Sequence, residues 1–152
     1  MNAPLIKKAS ARIWRARLTQ PFSTAKGQHD LLENILFSIE LSDGVRGFGE
    51  AAVATHITGE TVQETLKNLK EAARSVLGLG LVEFPRIVER FKVKFAKNPC
   101  ALAALEMALL DAATRAKKIP FWRAFGTRPR TLHSDMTVVL GDVPEAETAA
   151  RE

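Results

Sequence analysis

The chain has 152 residues, 46% hydrophobic and 26% charged, ordinary proportions for a folded domain and too apolar for a disordered one. Lys and Arg number 22 against 17 Asp and Glu, and a net charge of +5 is too small an excess to mark a nucleic-acid binder. With a single cysteine, Cys100, neither an intrachain disulfide nor a multi-cysteine zinc site can form, and a complete (β/α)8 barrel, which takes about 250 residues, does not fit in this length.

The first fourteen residues carry Lys7 and Lys8 but no apolar run of the roughly 7–15 residues that a secretory signal needs. Nor does any run approach the roughly 18 apolar residues of a membrane span. With a lone thiol, a cytoplasmic setting is expected. Residues 11–19 read as a strand that Pro21 breaks, and residues 23–30, polar and containing Gly27, read as a loop. Ile35, Phe37, Ile39 and Leu41 alternate with Leu36, Ser38 and Glu40, the pattern of a half-buried strand. Asp43-Gly44 supplies a tight turn, and residues 45–55 return as a third strand interrupted by Gly47 and Gly49. The first third therefore reads as a three-stranded antiparallel meander.

The period then changes. Thr58-Gly59-Glu60-Thr61 precedes a helical stretch through about Leu77, in which Leu66, Leu69, Ala73 and Leu77 recur at helical spacing and which Gly78 and Gly80 close. A short helix is expected over 84–95, with Pro85 in its first turn. Asn98-Pro99 starts another over 100–117, so rich in alanine and leucine that it must be buried. Residues 120–125 suggest one more short helix. The run Met136-Thr137-Val138-Val139-Leu140 is β-type, and Val143-Pro144-Glu145 opens a helix. A strand followed by a helix is the first half of a βαβ unit, so residues 131–152 read as the beginning of a truncated α/β domain.

Gly47 to Ala52 spell G-x-G-x-x-A, but that fingerprint must open a helix, and the residues after it, 53–57, read as strand. Glycines that let a strand bend against a neighbour explain it better. His29, His56 and His133 share no metal-ligand spacing, although His29 and His56 fall in the loops on either side of the hairpin. Glu106 and Asp111, five residues apart on a helix, do not share a face and make no acid pair. Cys100 reads as a small core residue. The basic residues Lys92, Lys94, Lys97, Arg128 and Arg130 lack the interleaved aromatics of a nucleic-acid groove.

Three groups of residues carry a resemblance. They are Pro21-Phe22-Ser23-Thr24-Ala25-Lys26-Gly27 with Glu33-Asn34, then Asp43-Gly44-Val45-Arg46-Gly47-Phe48-Gly49-Glu50-Ala51, then residues 104–111. In order and spacing they resemble the N-terminal domain of the enolase superfamily, nearest the muconate-lactonizing-enzyme subgroup. Ile57-Thr58-Gly59-Glu60-Thr61 and Asp135-Met136-Thr137 look most like dipeptide epimerases of the L-Ala-D/L-Glu type.

The resemblance implies an α+β fold: an enolase-like capping domain, three antiparallel strands plus a helical bundle, over residues 1–130. The first strand and helix start of a truncated (β/α) barrel would follow over 131–152. It implies a parent enzyme that inverts the α-carbon of a dipeptide by 1,1-proton transfer, with Mg²⁺ stabilising the enolate. The family's catalytic lysines and metal ligands have no counterpart here, so the chain alone is expected to be inactive.

What carries over is the substrate-facing part of the cap: Phe22, Thr24, Ala25 and Gly27 in one loop, Ile57 and Thr58 in a second, and Thr137 on the first barrel strand. For Phe22 the plain alternative is a core role, and for Thr137 simple strand preference. Some dipeptide epimerases have an arginine where this chain has Gly27, which leaves dipeptides other than Ala-Glu open. The expected partners are the dipeptide, the remainder of the barrel and further copies in a homo-oligomer, but neither nucleic acid nor membrane. Alternatives are a cycloisomerase or o-succinylbenzoate synthase built on the same cap, and a non-catalytic stand-alone cap that acts as a binding module.

Overall fold

A computed structural model describes residues 4–24, 27–126, 128, 131–135, 138 and 141–151. The chain forms two compact units, one of Met1–Trp14 with Glu33–Arg128 and one of Arg15–Leu32 with Pro129–Glu152.

Three strands, β1 (Ile6–Thr24), β2 (Gly27–Leu41) and β3 (Arg46–Ala51), form one sheet in the order β1-β2-β3. β2 and β3 are antiparallel in a register that sets Phe37 opposite Gly49 and Ile39 opposite Gly47. The alternation seen in β2 is realised: Ile35, Phe37, Ile39 and Leu41 are all buried. Each such side chain contributes about 1.5–3 kcal/mol by leaving water.

The meander is present, but its bounds differ from the sequence reading. β1 starts at Ile6 and passes straight through Pro21, and residues 27–30, expected in a loop, already belong to β2. β1 is an edge strand of the sheet, where a residue lacking an N–H is tolerated. Its early start rests on Ile6, a single apolar residue that is 1% exposed and whose N–H donates to the Leu79 carbonyl at 2.9 Å. β3 ends at Ala51, and residues 55–57, expected to be extended, fall in the single helical turn α1 (Thr55–Thr58).

α2 (Val62–Ser75), α3 (Phe84–Lys94) and α4 (Pro99–Ala116) pack with β2 and β3 around one core. Thr61 caps α2, its hydroxyl accepting from the Glu64 N–H at 3.2 Å, so this helix starts directly after residues 58–61, as the sequence pattern suggested, and ends at Ser75, short of Leu77. Phe91 and Phe95 stack with ring centroids 5.0 Å apart. The last turn before Gly126 is a 3-10 helix, Phe121–Ala124.

α4 buries Ala101, Ala104, Leu105, Ala108, Leu109 and Ala112. Its alanine-rich face lies against the backbone of β3, and Gly47 and Gly49 make that approach feasible. A Cβ on Gly47 would lie 2.6 Å from the Ala112 nitrogen and still closer to the Ala108 carbonyl oxygen. The two glycines of the G-x-G-x-x-A string thus serve helix-on-strand packing.

In the second unit, α5 (Val143–Arg151) begins as expected from Val143-Pro144-Glu145. A reciprocal cap holds its start: the Asp142 carboxylate accepts from the Glu145 N–H at 2.8 Å, and the Glu145 carboxylate from the Asp142 N–H at 3.2 Å. Residues 131–135 and Val138 carry no regular structure. Met136, Thr137, Val139 and Leu140, the rest of the β-type run, lie outside the described residues.

Candidate functional site

The segment between β3 and α2 is a short turn built largely from its own backbone. Ala54 presents its carbonyl oxygen to the N–H groups of Ile57 (2.8 Å) and Thr58 (3.0 Å), and Gly59, at φ 75°, ends α1 in the left-handed region that favours glycine. Ile57 is left 73% exposed at the tip. The Thr58 hydroxyl donates to the Ala54 carbonyl at 3.3 Å and accepts from the Glu60 N–H at 3.3 Å.

Beneath this turn sits a polar cluster that sequence reasoning missed. The Glu60 side chain is buried, only 4% exposed, at the N-terminus of α4. Its Oε1 accepts from the Cys100 backbone N–H at 2.9 Å and from Asn98 Nδ2 at 2.6 Å, and its Oε2 lies 3.0 Å from the Cys100 thiol. Asn98 Nδ2 also reaches the Thr65 hydroxyl at 2.8 Å, and Asn98 Oδ1 accepts from Asn68 Nδ2 at 3.0 Å. Asn98 does not cap α4 with its own side chain; a carboxylate from another segment does so instead, where the helix dipole favours negative charge.

The charges follow from these contacts. Burial pushes the Glu60 carboxyl up, but hydrogen bonds from Cys100, Thr58 and Asn98 outweigh it and hold the group below its ordinary value. The Cys100 thiol goes the other way: burial first, then the neighbouring Glu60, push it up to about 11. A thiol so placed is a poor nucleophile. The core role read for Cys100 is therefore incomplete, because the residue also binds the turn.

Of the residues expected to face substrate, Ile57 and Thr58 sit together on this turn, both exposed. Phe22 and Thr24 close β1 and Gly27 opens β2, so these three flank the connection between the two strands. Phe22 is 39% exposed. Gly27 has a φ of 135°, a conformation that side chains other than glycine's rarely adopt. Ala25 and Thr137 lie outside the described residues.

Two further polar contacts brace the sheet. Buried Asn34 donates to Glu50 at 2.5 Å, and Asp111 accepts from the Phe48 N–H at 3.0 Å while pairing with Arg115 at 2.8 Å. Among the described residues no three His, Cys, Asp or Glu side chains converge on a point where they could hold a metal ion. No helix among the described residues is long and apolar enough to cross a membrane.

Residues 8–126 match the family model of the mandelate racemase/muconate lactonizing enzyme N-terminal domain. The chain belongs to this family. Its fold is the enolase N-terminal domain, α+β, as the resemblance implied.

Among curated relatives, the hydrophobic dipeptide epimerase of Citrifermentans bemidjiense is 48% identical over 97% of this chain and 41% of that protein. The aromatic dipeptide epimerase of Herpetosiphon aurantiacus is 32% identical over 96% of this chain and 41% of that protein. The dipeptide epimerase of Enterococcus faecalis, solved with Mg and the dipeptide L-Leu-L-Tyr, superposes with a TM-score of 0.86 at 25% identity. That match covers 97% of this chain and 42% of that one. The chain thus spans about two-fifths of the length of the relatives it matches.

The signal for Glu60 was weak by nature. It stands next to the Thr61 cap in an ordinary polar string, and its partners are 38 and 40 residues away.

Proposed function

We propose that this chain is the capping part of an Mg²⁺-dependent epimerase that inverts the α-carbon of hydrophobic dipeptides. The observation that carries this reading is the 48% identity, over 97% of the chain, to a hydrophobic dipeptide epimerase. Residues 1–130 are the cap, and 131–152 begin the barrel. The barrel supplies the proton-transferring groups and the metal ligands, and Mg²⁺ when bound supplies charge for the oxyanion that forms as the α-proton leaves.

The cap's own residues bind and orient. Ile57 offers an apolar side chain to an apolar dipeptide. Thr58 gives the turn its shape, and its hydroxyl is already engaged by Ala54 and Glu60. Phe22, Thr24, Ala25 and Gly27 form the second cap loop at the substrate, and Thr137 contacts it from the barrel. Glycine at position 27 supports a hydrophobic preference, since no cation stands there to hold an acidic side chain.

The test is α-proton exchange. The full-length enzyme is incubated in D₂O with Mg²⁺ and a panel of L,L-dipeptides, and deuterium at the α-carbons is followed by NMR. Washout and epimer formation with Leu- or Phe-containing dipeptides, faster than with Ala-Glu, are expected. Exchange with no dipeptide would sink the reading. The chain alone should show no turnover.

A further inference from the structure

The turn that carries Ile57 and Thr58 is attached to the fold at both of its roots by the same short stretch of α4. At one root, the Ala52 carbonyl lies 3.3 Å from the Cys100 sulfur. At the other, the Glu60 carboxylate takes the Cys100 backbone N–H and Asn98 Nδ2 and lies 3.0 Å from the same sulfur. The single thiol proton serves one root at a time, so the permanent tie is Glu60. Glu60 also closes the turn from inside through its own N–H, which donates to the Thr58 hydroxyl. The backbone bonds from Ile57 and Thr58 to the Ala54 carbonyl and from Gly59 to the Thr55 carbonyl are local to the turn.

We propose that Glu60 is a positioning residue for substrate: its buried carboxylate ties the Ile57–Thr58 turn to the start of α4 and so sets where these two residues meet the dipeptide. The proposal rests on the reading that this turn faces substrate. Glu60 touches neither substrate nor reacting atoms. A carboxylate suits the place because its Oε1 takes the Cys100 N–H and Asn98 Nδ2 together while its Oε2 can take the thiol, whereas a neutral amide would turn its own NH₂ toward one of these groups.

The experiment compares the full-length wild-type enzyme with Glu60→Gln. In the variant, KM for the preferred hydrophobic dipeptide should rise about tenfold while kcat stays within about twofold, the split expected of lost positioning rather than lost chemistry. Amide hydrogen exchange at residues 53–59 should accelerate while that of β2 at 35–41 stays as in wild type. Unchanged KM overturns the proposal, with or without faster exchange, because the turn then moves without effect on substrate. Loss of protection across the whole core, with kcat and KM damaged together, also overturns it and marks Glu60 as merely structural. If Glu60→Gln does not fold, Cys100→Ala removes the one thiol hydrogen bond that the two roots share and should give the same split at about threefold in KM. A wild-type enzyme inactive on every dipeptide would sink the epimerase reading instead, and the exchange comparison would then decide the tie by itself.

Discussion

Gly49 of β3 lies directly under Ala104 of α4, so close that a Cβ on the glycine would sit 2.8 Å from the Ala104 carbonyl carbon and nearer still to its oxygen. The obstacle is helix backbone, which has no rotamer to yield. Gly49→Ala should therefore cost about 3 kcal/mol or more, at the upper end of overpacking penalties. Gly126→Ala, where open space surrounds the glycine and its φ is ordinary, should change stability by less than about 0.5 kcal/mol. Urea denaturation of the two variants checks this, and equal midpoints would refute it.

Asp111 fastens the other side of the same contact. It accepts the N–H of Phe48, and Arg115, its partner on the next turn of α4, holds its guanidinium carbon 5.9 Å from the centre of the Phe48 ring. Asp111→Ala should lower stability by about 1 kcal/mol, most of it from the lost backbone hydrogen bond rather than from the exposed ion pair. Asp111→Asn keeps an acceptor oxygen and should lose less than half as much. The difference in urea midpoint between the two variants measures the hydrogen bond.

Glu60 gives the protein an acid limit. Its carboxyl titrates lower in the folded chain than the ordinary 4.5, so its charge is bound more tightly by the folded state than by the unfolded one. Its contribution is fully present above pH about 4.5 and is lost as pH falls through the lower folded value. Glu40 and Glu71 shift the same way, through hydrogen bonds from Lys8 and Lys94, but both are at the surface. Unfolding curves between pH 3 and 6 should accordingly be less steep in pH for Glu60→Gln than for wild type. Parallel curves would show that the carboxylate's interactions do not reach the folding equilibrium.

Cys100 should resist alkylation. With its thiol raised from 9.0 to about 11, the thiolate fraction at pH 8 falls about 100-fold, and reaction with iodoacetamide should slow by at least that factor relative to the urea-unfolded chain. Mass spectrometry of timed aliquots measures the ratio. Rates within a factor of three in the native and unfolded chains would contradict the hydrogen-bonded burial described here.

Much of the fold was legible because its signals are local. The alternation of Ile35, Phe37, Ile39 and Leu41 can bury one face only as a strand, and the alanine run of 100–117 can bury nearly all round only as a helix. The errors have equally specific causes. Pro21 stops a central strand but not an edge one, and only the sheet order shows that β1 lies at an edge. Residues 53–57 have β-type composition, yet the Ala54 carbonyl draws in the N–H groups of Ile57 and Thr58 and closes a helical turn. The candidate loops around Phe22 and Ile57 came from family resemblance; no local pattern marked them.

By itself, then, the sequence determined the order and type of the main elements, the buried faces and, through its motifs, the family. Periodicity and turn chemistry act between residues a few positions apart, and that information is written along the chain. Only the tertiary structure decided that Glu60, Asn98 and Cys100 share one buried cluster, and that Gly47 and Gly49 serve α4 rather than a cofactor. These relationships join residues about 40 to 60 positions apart, and they arise only when helix packing brings a carboxylate to a helix N-terminus or a glycine beneath an alanine.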